Sequence, residues 1–351
     1  MNPRKRRSGR RVRLAADAVR FGANYLTGTY GARLLPHAPT ALLVGITSRC
    51  NLRCDFCFHA DNDIPTVARR PKGMMTDERF AAIVEQARGW CTHLEFALFG
   101  EPMLHPHFVD MVRLAVDAGL IVGIFTNATL LDAARASALV EAGPACITVS
   151  MEGGTPEEYT RVRGAPWEKV AGNLRGLVAA RRAVGKRCPL IVVRGIALEG
   201  QGDQREAHAA LYRDMGVDQV MWVPATNWSG SLRAPQHSVC VAPPPPRTQH
   251  CRFPRLQLGV DWDGTVVPCC VDFNAKNTLG NVDTTPLRDI WTGHNLAKLR
   301  AALATRDHDH IAATTGCAGC SHLAQPALPP DKRLQAMRMV IGEFRARFLD
   351  A

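Results

Sequence analysis
Six short apolar runs, at 42–47, 94–99, 121–126, 146–151, 190–197 and 219–223, recur between segments of helical spacing. No other feature constrains the fold of this 351-residue chain as tightly. Continuous apolar strands separated by helices point to a parallel sheet covered on its faces. The helices are expected at 77–88, 108–118, 133–141, 167–182 and 204–215, with Thr76 and Asp132 where N-caps belong. Six βα units fall short of the eight that close a full barrel. The expected fold is therefore α/β, an open partial (β/α)6 TIM-like barrel. In such sheets ligands gather at the carboxyl ends of the strands.

The first apolar run leads directly into Cys50-Asn-Leu-Arg-Cys54-Asp-Phe-Cys57, three thiols within eight residues. A cubane 4Fe–4S cluster normally takes four thiolates. Three leave one iron open to an exogenous ligand, which makes the cluster a reaction centre. A zinc knuckle is the alternative, with His59 as a fourth ligand, although structural zinc sites usually use C-x2–4-C pairs. The C-x3-C-x2-C spacing resembles the signature of the radical S-adenosylmethionine (SAM) superfamily. That resemblance implies a 4Fe–4S cluster on Cys50, Cys54 and Cys57, with SAM chelating the open iron.

Further strand-end motifs fit the same family. Leu98-Phe99-Gly100-Glu101-Pro102 is similar to its G-G-E-P motif, with Phe99 in place of the first glycine. The resemblance implies that Gly100, Glu101 and Pro102 hold the methionyl amino group of SAM. Thr126-Asn127 ends the third strand, where the family contacts the nucleoside. Ser150-Met151-Glu152-Gly153-Gly154, then Glu158-Tyr159 and Arg163-Gly164, resembles S-I-D-G…E-x-Y…I-R-G. There Ser150 and Arg163 would hold the SAM carboxylate, a task suited to a planar guanidinium. Phe56, between the second and third thiols, is assigned to the same cofactor-binding set.

Past residue 225 the composition changes, and a loop ends in four prolines at 243–246, a stiff spacer. Cys251, Gly264 and Cys269 follow as C-x12-G-x4-C, then Cys317-Ala-Gly-Cys320. Asp263-Gly264 is a good hairpin turn between runs at 256–260 and 265–267. Such a hairpin brings Cys251 and Cys269 together, and the later pair completes a four-thiolate site. The arrangement resembles the SPASM/twitch extension of radical SAM enzymes, in the shorter twitch form of the 2-deoxy-scyllo-inosamine dehydrogenase type. It implies a small C-terminal α+β domain with one auxiliary 4Fe–4S cluster on Cys251, Cys269, Cys317 and Cys320. Cys269 is taken from the G-x4-C count; Cys270 beside it stands as an alternative ligand or a core thiol. A four-cysteine zinc ribbon is the other reading, with an unusually long first gap. The expected divisions are a basic tail (1–39), the barrel (40–235), a Pro-rich linker (236–250), the auxiliary domain (251–325) and a C-terminal helix (326–351).

Residues 1–14 contribute +7 of the formal +11 charge, so the rest of the chain is unremarkable in charge. The basic tail is read as a solubilising end rather than a nucleic-acid arm. No apolar run of about 18 residues exists to span a membrane, and no signal peptide is visible, so a cytoplasmic enzyme is expected. The family implies an external one-electron reductant such as flavodoxin or ferredoxin, and a 5′-deoxyadenosyl radical that abstracts hydrogen. The fully ligated auxiliary cluster would take the electron from the substrate radical. A small polar natural-product substrate, an aminocyclitol or sugar, is the first expectation. The short stretch before strand one leaves no room for a winged-helix peptide-recognition module. The alternative is a maturase that cross-links or epimerises a ribosomally made peptide. Cys240, in the loop before the auxiliary domain, is a candidate hydrogen-atom donor.

Overall fold
Each expected βα unit forms. Strand β1 (Ala41–Val44) is followed by α1 (Asp77–Ala87), β2 (His93–Phe96), α2 (Phe108–Asp117), β3 (Ile121–Thr126) and α3 (Ala133–Ala142). Then come β4 (Cys146–Ser150), α4 (Pro156–Arg163), α5 (Trp167–Ala183), β5 (Leu190–Ile196), α6 (Arg205–Asp214) and β6 (Gln219–Val223). The computed structural model describes residues 38–59, 71–152, 155–185, 187–197, 205–229 and 251–323. Most of the basic tail, the Pro-rich linker with Cys240, and the C-terminal helix expected at 326–351 lie outside the described residues.

The capping expectations hold in atomic detail. Thr76 Oγ1 accepts from the Arg79 amide at 3.2 Å, and Asp132 Oδ1 from the Arg135 amide at 2.8 Å. Helix α4 was not expected, because its charged sequence shows no apolar stripe. Local chemistry makes it: Thr155 caps Glu158, Pro156 opens the first turn, and Gly164 closes it at φ +71°. The first two strands stop earlier than the apolar runs suggest. In β2 the reason is Leu98, which turns the chain at φ +95°.

Parallel pairing runs β6-β5-β4-β3-β2-β1, and successive residues on each strand face opposite ways. One face carries Leu94, Phe96, Val122, Ile124, Ile147 and Val149, all buried. Helices cover it: Phe96 stacks on Phe80 of α1 at 5.5 Å and meets Phe108 of α2 edge-on at 5.2 Å. Each such side chain contributes about 1.5–3 kcal/mol by leaving water. The other face is the concave one. Its register brings Glu95, Gly123, Phe125, Thr148, Ser150 and Arg194 to the same side.

The auxiliary segment is joined to this sheet rather than standing apart. Helix α7 (Phe253–Leu256) leads into β7 (Gln257–Val260), which pairs parallel with β1 from Ala41↔Gln257 to Val44↔Val260. Strands β8 (Thr265–Val267) and β9 (Gly280–Asn281) follow antiparallel, giving one nine-stranded sheet. The hairpin turn forms where Asp-Gly indicates, with Gly264 at φ +84°. Helices α8 (Leu287–Thr292), α9 (His294–Ala304) and α10 (His308–Thr314) complete the segment. Helix α1 clamps it: Arg79 forks onto Asp283 at 3.0 and 2.6 Å and donates to the Trp262 carbonyl at 3.0 Å. Gln86 also accepts from the Leu287 amide at 2.8 Å. Among the described residues no helix is long and apolar enough to cross a membrane.

Candidate active site
The loop after β1 is held open by the segment at 73–75. Thr47 Oγ1 donates to the Gly73 carbonyl at 3.0 Å, the Gly73 amide donates to Ser48 Oγ at 2.9 Å, and the Met75 amide donates to the Ile46 carbonyl at 2.8 Å. The loop then carries Cys50, Cys54 and Cys57 into the protein, where Cys54 is buried and the other two are partly buried. Burial pushes the Cys50 thiol up to about 11 and the Cys57 thiol up to about 12. Cys57 feels the fields of Cys54 and Cys50, Cys50 feels that of Cys54, and burial opposes ionisation of all three. Donors already point at two sulfurs: Arg163 Nη1 lies 3.6 Å from Cys54 Sγ and Asn127 Nδ2 lies 3.9 Å from Cys50 Sγ. Buried thiols with N–H groups aimed at them are a donor set suited to thiolate ligation of iron.

His59 does not join this set in the way a zinc knuckle needs. Its Nε2 donates to the Phe99 carbonyl at 2.6 Å, and burial holds its pKa below the usual imidazole value. Among the described residues no three His, Cys, Asp or Glu side chains converge tightly enough to hold a single ion.

The strand-end motifs assemble beside the thiols. A Cβ on Gly100 would stand 2.1 Å from the Thr47 carbonyl oxygen and 2.7 Å from that of Arg49, so only glycine fits. The Glu101 amide donates to the Arg49 carbonyl at 2.9 Å. Its carboxylate is buried and accepts from Thr126 Oγ1 at 2.7 Å, the Asn127 amide at 2.7 Å and the Met103 amide at 3.2 Å. Burial raises the Glu101 pKa, and these three bonds oppose the rise. Glu101 thus ties the end of β2 to the end of β3 and caps the 3₁₀ turn that Pro102 opens. Asn127 continues the network through Asn51 at 2.9 Å and Thr129 at 2.7 Å.

Arg163 is placed differently from the free carboxylate clamp that the sequence suggests. Its Nε and Nη2 fork onto Glu152, the latter bond at 2.6 Å, and Nη1 faces Cys54. The guanidinium also lies 5.0 Å from the Phe56 ring centroid. Ser150 ends β4 in register with Arg194. Tyr159 was singled out only as part of a motif. Its hydroxyl is buried with no hydrogen-bond partner, in the field of Arg163, Glu152 and Cys54. An orphaned hydroxyl here leaves one polar atom for a bound group to satisfy.

Thiols of the auxiliary segment lie within one another's fields. Cys251 feels Cys320 and Cys317, and Cys269 feels Cys251, with burial pushing all four thiols up, Cys317 to about 11. Asn277 Nδ2 lies 3.7 Å from Cys317 Sγ. Cys270 stands between these thiols and the sheet: its own surroundings are Arg194, Gln257 and Glu95 of the concave face, while Cys269 and Cys320 feel its field.

Two residues that sequence reasoning passed over join the two loops. Asn227 donates to the Gly319 carbonyl at 2.6 Å and accepts from the Ser321 amide at 2.9 Å. Next to it, Trp228 Nε1 donates to the Phe56 carbonyl at 2.9 Å. An aromatic seam fills the space between: Phe58 stacks on Phe273 at 4.5 Å and meets Trp228 edge-on at 4.8 Å.

Residues 44–212 match the family model of the radical SAM superfamily, and residues 251–321 match the SPASM iron–sulfur cluster-binding domain. The chain is an enzyme of the radical SAM superfamily with a SPASM-type domain. The first domain binds a 4Fe–4S cluster and SAM, and the second binds auxiliary iron–sulfur clusters. The chain is similar to the tungsten-containing aldehyde ferredoxin oxidoreductase cofactor-modifying protein of Pyrococcus furiosus, at 28% identity over 74% of this chain and 82% of that one. In fold it resembles BtrN crystallised with AdoMet and 2-DOIA, at TM-score 0.54, 20% identity and coverage of 80% and 92%. It also resembles Streptococcus suis SuiB bound to precursor peptide SuiA, at TM-score 0.62, 13% identity and coverage of 76% and 68%.

Proposed function
We propose that the protein is a radical SAM oxidoreductase acting on a small polar molecule, an aminocyclitol or sugar. Cys50, Cys54 and Cys57 hold the SAM-binding 4Fe–4S cluster, and Cys251, Cys269, Cys317 and Cys320 hold one auxiliary 4Fe–4S cluster. Phe56, Gly100, Glu101, Pro102, Thr126, Asn127, Ser150 and Arg163 form the SAM side of the site. With clusters and SAM bound, the chemistry supplied is hydrogen abstraction by a 5′-deoxyadenosyl radical and transfer of the substrate's remaining electron to the auxiliary cluster. An external one-electron donor such as flavodoxin or ferredoxin primes the site.

The chain's own residues prepare this chemistry. Glu101 and Asn127 fix the strand ends around the three-thiol loop. The Phe58–Phe273–Trp228 seam closes one side with apolar surface, which helps to exclude water from a reactive radical. The observation that carries the reading is Cys270. It lies in the fields of Glu95 and Arg194 on the concave sheet face, while Cys269 and Cys320 of the auxiliary set feel its own. A substrate on that face would lie within reach of both thiol sets.

Electron accounting tests the reading. The reconstituted enzyme is given SAM, candidate aminocyclitols and a limiting amount of reductant under anaerobic conditions. Oxidised product exceeding the reductant supplied is expected, because the auxiliary cluster returns the electron. Product that never exceeds the reductant, or is not oxidised, would sink the proposal. Fold likeness to a peptide-bound structure favours a second reading, a maturase of a ribosomally made peptide. Co-expression with a short Cys-, Gly- or Tyr-rich precursor, followed by mass spectrometry, separates the two.

A further inference from the structure
Two opposite charges on the concave face lie outside the residues assigned above to SAM and the clusters. Glu95 projects from β2 and Arg194 from β5, on the same side of the sheet by register. They feel each other's field, but no hydrogen bond or ion pair within 4.0 Å joins either side chain to another described side chain. Burial pushes the Glu95 carboxyl upward, and Arg194 opposes the shift. Glu95 keeps part of its surface in water, and a carboxylate partly desolvated and left without a contact partner is unfavourable.

The surroundings leave room for a partner. Position 123, beside Glu95 in register, is glycine, and a Cβ there would stand 3.3 Å from Glu95 Cγ. Any larger side chain would crowd the carboxylate. Arg194 is exposed, and its guanidinium lies over the Phe125 ring at 5.7 Å from the centroid, which orients the fork without occupying it. Cys270 lies in the fields of both charges and has Gln257 beside it.

We propose that Glu95 and Arg194 anchor the substrate, and that the ligand is a small amino-polyol whose ammonium sits on Glu95 while its oxygens meet the Arg194 fork. The inference rests on the proposed small-molecule function and adds the amine as the group that is recognised. An ammonium supplies the positive contact that the protein withholds from Glu95. An Arg fork is matched to oxygen acceptors, and a stacked one loses little freedom on binding them.

Anaerobic calorimetry on the reconstituted, SAM-loaded enzyme tests this with scyllo-inosamine, its amine-free counterpart scyllo-inositol, and the peptide Ser-Ser-Ser. We expect the amine to bind at least about tenfold more tightly than the inositol, the loss expected of one charge-assisted contact. Glu95→Gln should erase that preference while leaving inositol affinity within about twofold, and Arg194→Met should weaken both small probes. Unchanged iron content and circular dichroism establish that each variant is folded. Equal binding of the two small probes, no binding of the amine, or a preference that survives Glu95→Gln overturns the proposal. Tighter binding of the peptide than of scyllo-inosamine overturns it as well. Amine binding without oxidation would sink the oxidoreductase reading and leave this subsite standing. Oxidation indifferent to Glu95 would do the reverse.

Discussion

The two thiol sites are built on different plans. The three-thiol loop is walled by polar groups that reach beyond their own strands: Arg163 and Asn127 address its sulfurs, and Glu101 locks two strand ends behind it. Its thiols leave one ligand short of a filled cubane. The four-thiol set sits on a hairpin and a later turn, with Cys251, Cys269 and Cys317 only partly exposed, Cys320 buried and Asn277 its one side-chain N–H donor to a sulfur among the described bonds. A site with polar walls and a missing ligand is suited to bind a third party. A site filled by its own thiols is suited to move electrons, with a potential set by burial and nearby donors.

The largest expected effect breaks one site and leaves the other. Cys50/Cys54/Cys57→Ala should reduce iron from about eight to about four per chain and abolish SAM cleavage. Cys269→Ala should also remove about four irons, whereas Cys270→Ala should keep the full count of about eight. Iron analysis after anaerobic reconstitution decides it. Iron loss in the Cys270 variant alone would exchange the roles of the neighbours and remove Cys270 from the substrate face.

The polar wall around the first site should also be the costlier one to damage. Glu152 is 1% exposed and forks with Arg163, and it accepts from the Ile196 amide at 3.2 Å as well. Glu152→Ala leaves a buried guanidinium without its counter-ion, which costs about 3–5 kcal/mol. Denaturant unfolding should register that loss. Arg79→Ala, which cuts the exposed fork to Asp283 across to the auxiliary hairpin, should cost no more than about 1 kcal/mol. Similar losses at the two positions would contradict the contrast.

Gly100→Ala probes how tightly the first site is assembled. The new methyl group meets backbone oxygen at 2.1 Å, and no rotation relieves a backbone clash. Displacing the loop should cost about 1–3 kcal/mol and weaken SAM binding more than it affects the auxiliary irons. Equilibrium binding of SAM, together with iron content, separates the two effects.

Sequence exposed different amounts of each region. The barrel was legible because alternating apolar runs and caps such as Thr76 and Asp132 act locally, and every one formed. The hairpin was legible from Asp263-Gly264. The fusion of that hairpin to β1 was not, since strand neighbours far apart in sequence leave no local mark. Helix α4 was missed because its charged sequence carries no apolar stripe, and Glu158, Tyr159, Arg163 and Gly164 were read as motif residues instead of boundaries. Within the site, spacing announced the thiols, but nothing in the sequence could say that Arg163 turns its fork to Glu152. Nor could it say that Asn227 and Trp228 tie the two loops. The orientation of Cys270 became visible only once three distant strands were placed around it.

The smallest effect concerns stability and pH on the face between the two sites. Burial raises the Glu95 pKa above its ordinary value of 4.5. A carboxyl raised in the folded state contributes fully below the unfolded pKa, and that contribution is lost as pH rises through the folded value. At neutral pH the empty enzyme therefore bears the cost of the raised Glu95 pKa. Glu95→Gln removes it, so the variant should be more stable than the parent by about 1 kcal/mol at pH 7. The gain should shrink as pH falls and vanish below 4.5, where the parent carboxyl becomes protonated in both states. Denaturant midpoints measured across this range test the sign. A gain that persists at the acidic end would mean that Glu95 is destabilising through its shape rather than its charge. The face between the clusters would then be ordinary packing, not a site holding charge in reserve for a ligand.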